Sequence, residues 1–256
     1  MKGISFQIIT IVSLLLFSII SSSIVKLVYA QAGQISLIPT DDTYVSRTNA
    51  TSNFGTYATL EVMNGTFAIA GIGGEYINDD QMIWLKFNLS SIPEGAVIDY
   101  ATLQLCAESY GTSYPANVSA YYCPDNSWNE TELTYSNMPS YNTTSIDTLL
   151  DNSEIEWGNW SVAEALRDSL NNNSTFLTIV LAEPISTWGI LQFYSKEIEP
   201  IPPDDRPKLI VHWTVVVPEF PTFIALAFLM IVILLIAIIG KCKNLSSKQS
   251  ISGVVV

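Results

Sequence analysis

Three pairs of adjacent carboxylates, Asp41-Asp42, Asp79-Asp80 and Asp204-Asp205, are the residues whose type and spacing most directly suggest chemistry. Hard cations such as calcium take several oxygen ligands, and paired loop carboxylates supply them. No Asp-x-Asp-x-Asp-Gly loop accompanies them. Solvated loop acids are therefore the competing account, and structural calcium is the only cofactor the sequence suggests. Exposed aromatic rings are a second chemistry, because the apolar face of a sugar stacks on them. Trp157 and Trp160 in a Gly-flanked loop, Tyr110 and Tyr114 at an expected hairpin tip, Tyr121 and Trp188 are the residues expected to do so, whereas Trp128 and Trp213 read as core.

Catalysis finds little support. His212 is the single histidine, and alternation with Val211 and Trp213 puts it on an outward strand face, which argues against a Ser-His-Asp triad. A glycosidase needs two carboxylates about 5–10 Å apart. An acid-rich chain meets that distance by accident, and sequence singles out no pair. No catalytic residue is expected.

Nine Asn-x-Ser/Thr sequons, at Asn49, Asn64, Asn88, Asn117, Asn129, Asn142, Asn159, Asn172 and Asn173, mark the central segment as a glycosylation substrate. Cys106 and Cys123 fall in the same segment. A hairpin from Ala101 to Tyr122 would bring them onto neighbouring strands, where they are either a disulfide or two small buried thiols.

The chain has 256 residues, with 11 Lys+Arg against 24 Asp+Glu and a net charge of −13. A nucleic-acid partner is excluded, since a phosphate backbone requires a basic face. One His and three Cys leave little room for a His/Cys zinc site.

The ends carry targeting information. Residues 1–30 combine Met1-Lys2, an apolar run from Ile4 to Val25 and small residues near Ala30, the pattern of a signal peptide. Residues 222–240 contain no charge, enough to cross a ~30 Å hydrocarbon core as a helix. Lys241, Lys243 and Lys248 follow, so residues 241–256 are expected to be a cytoplasmic tail and the bulk of the chain extracellular. Residues 215–221 read as a Pro-rich linker. Of the basic residues, only six lie within 31–218, beside 23 acids. The expected location is the cell membrane, single-pass, with the lipid bilayer as partner.

Between the ends, alternation dominates. Ile83, Leu85, Phe87 and Leu89 share one face, with Trp84, Lys86 and Asn88 opposite. Thr59–Val62, Leu103–Leu105, Val118–Tyr121 and Leu209–Val215 alternate likewise, broken by Gly, Pro and Asn, with Asn64-Gly65 as one break. Short period-two runs of this kind predict an all-β, jelly-roll-like antiparallel β-sandwich over residues 35–214. One short helix is predicted, opened by a Ser161–Glu164 capping box and stopped at Asn171-Asn172-Asn173.

Several of these segments resemble the DNRLRE-domain family, related to archaeal disaggregatase repeats and to a family of carbohydrate-binding modules. The likeness rests on Asp42-Thr43-Tyr44-Val45, Asn53-Phe54-Gly55, Trp84 to Ser90 followed by Ile92 to Ile98, and Trp128-Asn129-Glu130. Phe193 to Glu197 and Arg206 to Val211 complete it. Asn88 stands where the family commonly has Asp. Asp42 opens the first motif, so Asp42 and Asp41 are the acids expected to ligate calcium. Val217-Pro218-Glu219-Phe220-Pro221 is similar to an archaeal PEF-type C-terminal anchor, with 16 residues beyond the helix retained as a tail. The resemblance implies a jelly-roll-like β-sandwich on a secreted or cell-surface protein and does not by itself imply catalysis. With the anchor and the aromatics, it leads to the expectation of a non-catalytic surface protein that binds polysaccharide or mediates envelope contacts. A purely structural glycosylated envelope component and a polysaccharide-cleaving enzyme are the alternatives.

Overall fold

The computed structural model describes residues 28–68, 76–108, 117–150, 157–185, 190–199 and 204–218, with Ala227, Met230, Ile231, Ile233, Leu234, Leu235 and Ile238. The chain divides into two units, Gln31–Val215 and a second made of Met1–Ala30 with Val216–Val256. The strands are β1 Val28–Leu37, β2 Asp41–Ser46, β3 Thr59–Ala68, β4 Tyr76–Asn88, β5 Val97–Cys106, β6 Asn117–Cys123, β7 Asp147–Leu150, β8 Trp157–Ser161, β9 Phe176–Ala182, β10 Leu191–Tyr194 and β11 Lys208–Pro218. The one helix among the described residues of the first unit is α1, Ala163–Asn171.

The strands form two sheets, one ordered β1-β11-β5-β8 and the other β10-β3-β4-β9-β6-β7, with β2 also paired to β4. The pairings of β2 through β11 are antiparallel. The architecture is a β-sandwich with one short helix. Its long strand β4 organises the larger sheet, meeting β3 along Tyr76–Gln81, β2 along Gln81–Lys86 and β9 along Ile83–Asn88.

The alternation in β4 is as the sequence predicts, but it sends side chains to two separate cores where one was expected. Ile83, Leu85 and Phe87 enter the space between the sheets with Leu103 and Leu105 of β5, Trp160 of β8, Leu166 of α1 and Val211 of β11. Trp84, facing the other way, joins Val45, Met82, Tyr121 and Val180 on the outer side of the larger sheet. An outer apolar face needs a cover, and the segment 124–146 between β6 and β7 supplies it with Trp128, Leu133, Tyr135, Met138 and Tyr141. Trp84 meets the edges of both Trp128 and Tyr141, at 5.9 and 6.0 Å between ring centres. Burial on this scale, at about 25 cal/mol per Å² of apolar surface, makes the 124–146 segment part of the folded body rather than a free loop.

The structure departs from the sequence expectations in several places. β3 runs straight through Asn64-Gly65, which pairs with Asp80-Asp79 instead of turning. Ser161 is not a helix cap: it ends β8, its N–H donating to Asp147 Oδ2 at 2.7 Å. The residue before α1 is Val162, which makes no side-chain cap. The stop does fall where expected, with Asn172 closing the helix and Asn173 in the left-handed region at φ 54°. Cys106 and Cys123 form no disulfide. β5 and β6 lie in different sheets and not in a hairpin. Cys123 also points to the far side of its sheet, into the outer core. Two such thiols sit more than a sheet spacing of about 10 Å apart, beyond the reach of a bridge. β11 continues to Pro218, so part of the expected 215–221 linker is strand.

A bulge shapes the four-stranded sheet. His212 faces Tyr100 but Trp213 faces Ile98, leaving Asp99 as the extra residue. Arg167 of α1 donates to the Ile98 carbonyl at 2.9 Å and the Asp99 carbonyl at 3.2 Å, satisfying the backbone that the bulge frees.

In the second unit, the described positions of 222–240 are helical, and Met230, Ile231, Ile233, Leu234, Leu235 and Ile238 are exposed. Among the described residues, no helix is long and apolar enough to cross a membrane. The rest of the expected span, the tail 241–256 and residues 1–27 of the expected signal peptide lie outside the described residues.

Candidate functional site

Two places on the molecule combine chemistry-bearing side chains. At the first, segments distant in sequence converge on Asp42 of β2. Asp42 is fully buried; its N–H donates to Glu130 Oε2 at 3.1 Å, and its Oδ2 accepts the Lys196 N–H at 2.8 Å. Lys196 Nζ pairs with Glu130 at 2.8 Å and also contacts Glu197. Carboxylate oxygens of Asp42, Glu130 and Glu197 all lie within 4.8 Å of one another.

Local chemistry sets these positions. Asn53 Nδ2 donates to the Glu130 carbonyl and, at 2.8 Å, to the Leu133 carbonyl, pinning the turn that carries Glu130. Gly55 lies so close to the Glu130 backbone that a Cβ there would collide with its carbonyl, which is why glycine occupies the position. Phe54 between them stacks on Tyr44 at 4.3 Å. Ser195, also fully buried, donates its Oγ to the Tyr57 carbonyl at 2.7 Å and accepts the Glu197 N–H at 3.1 Å. The segments that carry the family likeness, Asp42–Val45, Asn53–Gly55, Trp128–Glu130 and Ser195–Glu197, thus meet in space.

Burial, reinforced by the charge of Glu197 and offset in part by the Lys196 N–H, pushes the Asp42 carboxyl well above the usual range. Burial works against the Lys196 ammonium, but its contacts with Glu130 and Glu197 prevail and hold it above the ordinary lysine value.

Asp41, the other expected calcium ligand, turns elsewhere. Its Oδ2 pairs with Lys86 Nζ at 3.0 Å, and its Oδ1 accepts the Glu130 N–H at 3.3 Å. Lys86 is itself buried, 4.7 Å over the Trp128 ring and donating to the Trp128 carbonyl at 2.5 Å. The pair locks the 124–146 cover to β4.

The second place is the outward face of the four-stranded sheet. Register aligns Lys208, Gln104 and Asn159 in one row across β11, β5 and β8, with Ile210, Thr102 and Ser161 in the next. Gln104 Nε2 donates to Asn159 Oδ1 at 2.6 Å. Aromatic rings stand at both ends of this grid. Trp157 lies under Lys208 Nζ, 4.5 Å from its ring centre. Tyr100, 52% exposed, stacks on His212 at 3.9 Å and 23°. Amide, hydroxyl and ammonium groups between two aromatic ends can bind an extended hydroxylated ligand, hydrogen-bonding its edge and stacking its apolar face.

Of the expected stacking residues, Trp157 is on this face. Trp160 is not available: it is fully buried, and its Nε1 donates to the Val118 carbonyl at 2.9 Å, because it alternates inward from Trp157 and Asn159. Tyr121 is likewise buried, 5.5 Å from Tyr141 beneath the cover segment. Tyr110, Tyr114 and Trp188 lie outside the described residues. The expected outward direction of His212 holds, as does the core role of Trp128. Sequence reading missed Tyr100, His212 as a stacking partner, Glu130 and Glu197. Tyr100 lies just before the alternating run Thr102–Leu105, and the two glutamates each sit in a family-like segment, but spacing carries no sign of their proximity.

Sequon side chains also differ in availability. Asn49, Asn88, Asn129, Asn142, Asn159, Asn172 and Asn173 are exposed. Asn64 Nδ2 is committed to the Glu183 carbonyl at 3.0 Å, and Asn159 Nδ2 to the Trp157 carbonyl at 3.1 Å.

A cleft of about 220 Å³ lined by Asp125, Ser127, Trp128, Asn129, Glu132, Leu133, Asn137 and Pro139 opens on the cover segment. It falls below the ~300–1,000 Å³ of typical small-molecule sites. No curated protein matches the chain. A family model does: carbohydrate-binding module family 96 matches residues 33–212, most of the chain, and the protein belongs to that family.

Proposed function

We propose that this protein is a non-catalytic polysaccharide-binding module held at the outer surface of a cell membrane. The family match over residues 33–212 carries the reading. The outward face of β11, β5 and β8 is where we place the ligand, running between Trp157 and the Tyr100–His212 stack across Lys208, Gln104, Asn159 and Thr102. Lys208, its ammonium over the Trp157 ring, favours a chain that bears carboxylates or sulfates, since it is one of only six basic residues beside 23 acids in 31–218.

Within the family, the motifs Asp42–Val45, Asn53–Gly55 and Trp128–Glu130 favour the DNRLRE type. The uncharged stretch 222–240, its following lysines and the exposed apolar side chains at its described positions support a lipid-embedded anchor. The Val217–Pro221 segment supports the archaeal PEF-type form of it. The signal-like residues 1–30 support export, and the exposed sequons support glycosylation, read as a mass loss on deglycosylation.

A glycan array probed with the full chain in detergent tests the function. Saturable binding to one polysaccharide class, acidic polymers first, is the expected result. Silence across acidic and neutral polysaccharides would leave the structural envelope role as the better account, and release of shortened sugars would favour the enzyme.

A further inference from the structure

The geometry points to a second site of a different kind, a hard divalent-cation site built from Asp42, Glu130 and Glu197. Asp42 was expected at such a site from its sequence position; its partners come from the end of the 128–130 segment and from the turn after β10, neither of which spacing connects to it.

The strongest observation is an orphaned oxygen. Asp42 is fully buried, and its Oδ1 has no hydrogen-bond partner. The Lys196 N–H serves the other oxygen, Oδ2. The Lys196 ammonium serves Glu130 and Glu197. What neighbours Asp42 is instead the carboxylate of Glu197. Two carboxylates that face each other inside a protein need a proton or a cation between them. Three carboxylates against one ammonium leave a net charge of −2, which a single divalent ion neutralises.

Donor type narrows the ion. One oxygen from each of the three carboxylates lies within 4.8 Å of the others, close enough to share one ion. Magnesium demands near-ideal octahedral geometry and gives up its water reluctantly, so three protein-held carboxylates suit calcium better. The donors are all oxygen, with no His or Cys in the cluster, so the site suits calcium over zinc or copper. Glu130 and Glu197 keep 19% and 25% of their side chains exposed, which leaves a path for the ion and room for water ligands. Bound there, the ion ties β2, the cover segment and the turn after β10 together. The site is independent of sugar binding, since none of its residues lies on the four-stranded sheet.

The test uses the full chain, stripped with EDTA and titrated calorimetrically with calcium chloride and, separately, magnesium chloride. One calcium per chain is expected, with magnesium about tenfold weaker or worse. At free calcium about a hundred times Kd, the melting midpoint should rise by about 5–10 °C. Glu197→Gln, at the exposed edge, should fold with an unchanged circular dichroism spectrum and lose at least about tenfold in calcium affinity. Asp42→Asn should lose as much; if it fails to fold, Glu197→Gln decides alone. A folded wild-type chain that takes up no calcium at millimolar concentration overturns the proposal and leaves a shared proton between Asp42 and Glu197. Calcium binding unchanged in Glu197→Gln puts the ion elsewhere and overturns it equally.

Discussion

Replacing Lys86 by Met should unfasten the cover segment from the larger sheet. Methionine keeps most of the volume but removes the charge, so the perturbation isolates the ion pair from the packing. Only 9% of the Lys86 side chain and 17% of the Asp41 side chain are exposed. Removing one partner of a buried pair costs about 3–5 kcal/mol, because the survivor is left unpaired. Here Asp41 retains the Thr40 hydroxyl at 2.9 Å and the Glu130 N–H at 3.3 Å, which lowers the cost, while the Trp128 carbonyl loses its Lys86 donor, which raises it. The expected loss is about 2–3 kcal/mol. For a domain of this size that lowers the melting midpoint by about 4–12 °C. Urea unfolding followed by tryptophan fluorescence is the assay, since the Trp84–Trp128 contact reports on the seam directly. Adding Asp41→Asn to Lys86→Met should recover about 1–3 kcal/mol, as expected for residues that interact. A Lys86→Met chain within about 0.5 kcal/mol of wild type, the range of an ordinary surface change, would refute the claim that this pair holds the cover.

Four further outcomes follow from the geometry. Asn53→Ala removes both hydrogen bonds to the Glu130 and Leu133 carbonyls and should cost about 1–3 kcal/mol in the same assay. Burial alone would raise the Asp79 carboxyl, but hydrogen bonds from Ser46, Thr48 and the Asp80 N–H outweigh it and hold the pKa below the usual value. A depressed carboxylate contributes stability above its unfolded pKa, about 4, and loses it as pH falls through the lower folded value; Asp79→Asn should therefore flatten the loss of stability in acid titrations below pH ~4. Reductant should leave the melting midpoint unchanged because Cys106 and Cys123 are thiols; a native disulfide would instead cost about 2–5 kcal/mol on reduction. Trp157→Ala and Tyr100→Ala should each weaken polysaccharide binding about thirtyfold, the scale of an aromatic hot spot of ~2 kcal/mol, with stability held within about 1 kcal/mol.

Strand identity was legible where burial differs between the two faces of one strand. Ile83, Leu85 and Phe87 alternate with Trp84 and Lys86, and each set found a core of its own. Less legible was which core. Trp84 faces outward from the sandwich yet is fully buried, because a segment 40 or more residues later folds over it, and no local pattern announces that cover. The same blindness affected Trp160 and Tyr121, whose neighbours supply their burial. The Cys106–Cys123 expectation failed on topology: closeness in sequence suggested a hairpin, and the chain crossed to the other sheet. At the carboxylate cluster, Asp42 could be picked from its motif, whereas Glu130 and Glu197 became its partners through Asn53, Gly55 and Ser195. Those residues act by hydrogen bonding and close approach, which leave no periodic trace. The Ser161 cap misled because its N–H is already held by Asp147 in a strand.

The most direct measurement of the central claim is amide exchange on the full chain with and without an oligosaccharide of the class selected on the array. Protection confined to Tyr100–Cys106, Trp157–Ser161 and Lys208–Thr214 is the predicted pattern. Protection confined to the 125–139 cleft, or none at all at saturating sugar, would contradict the placement of the ligand on the four-stranded sheet.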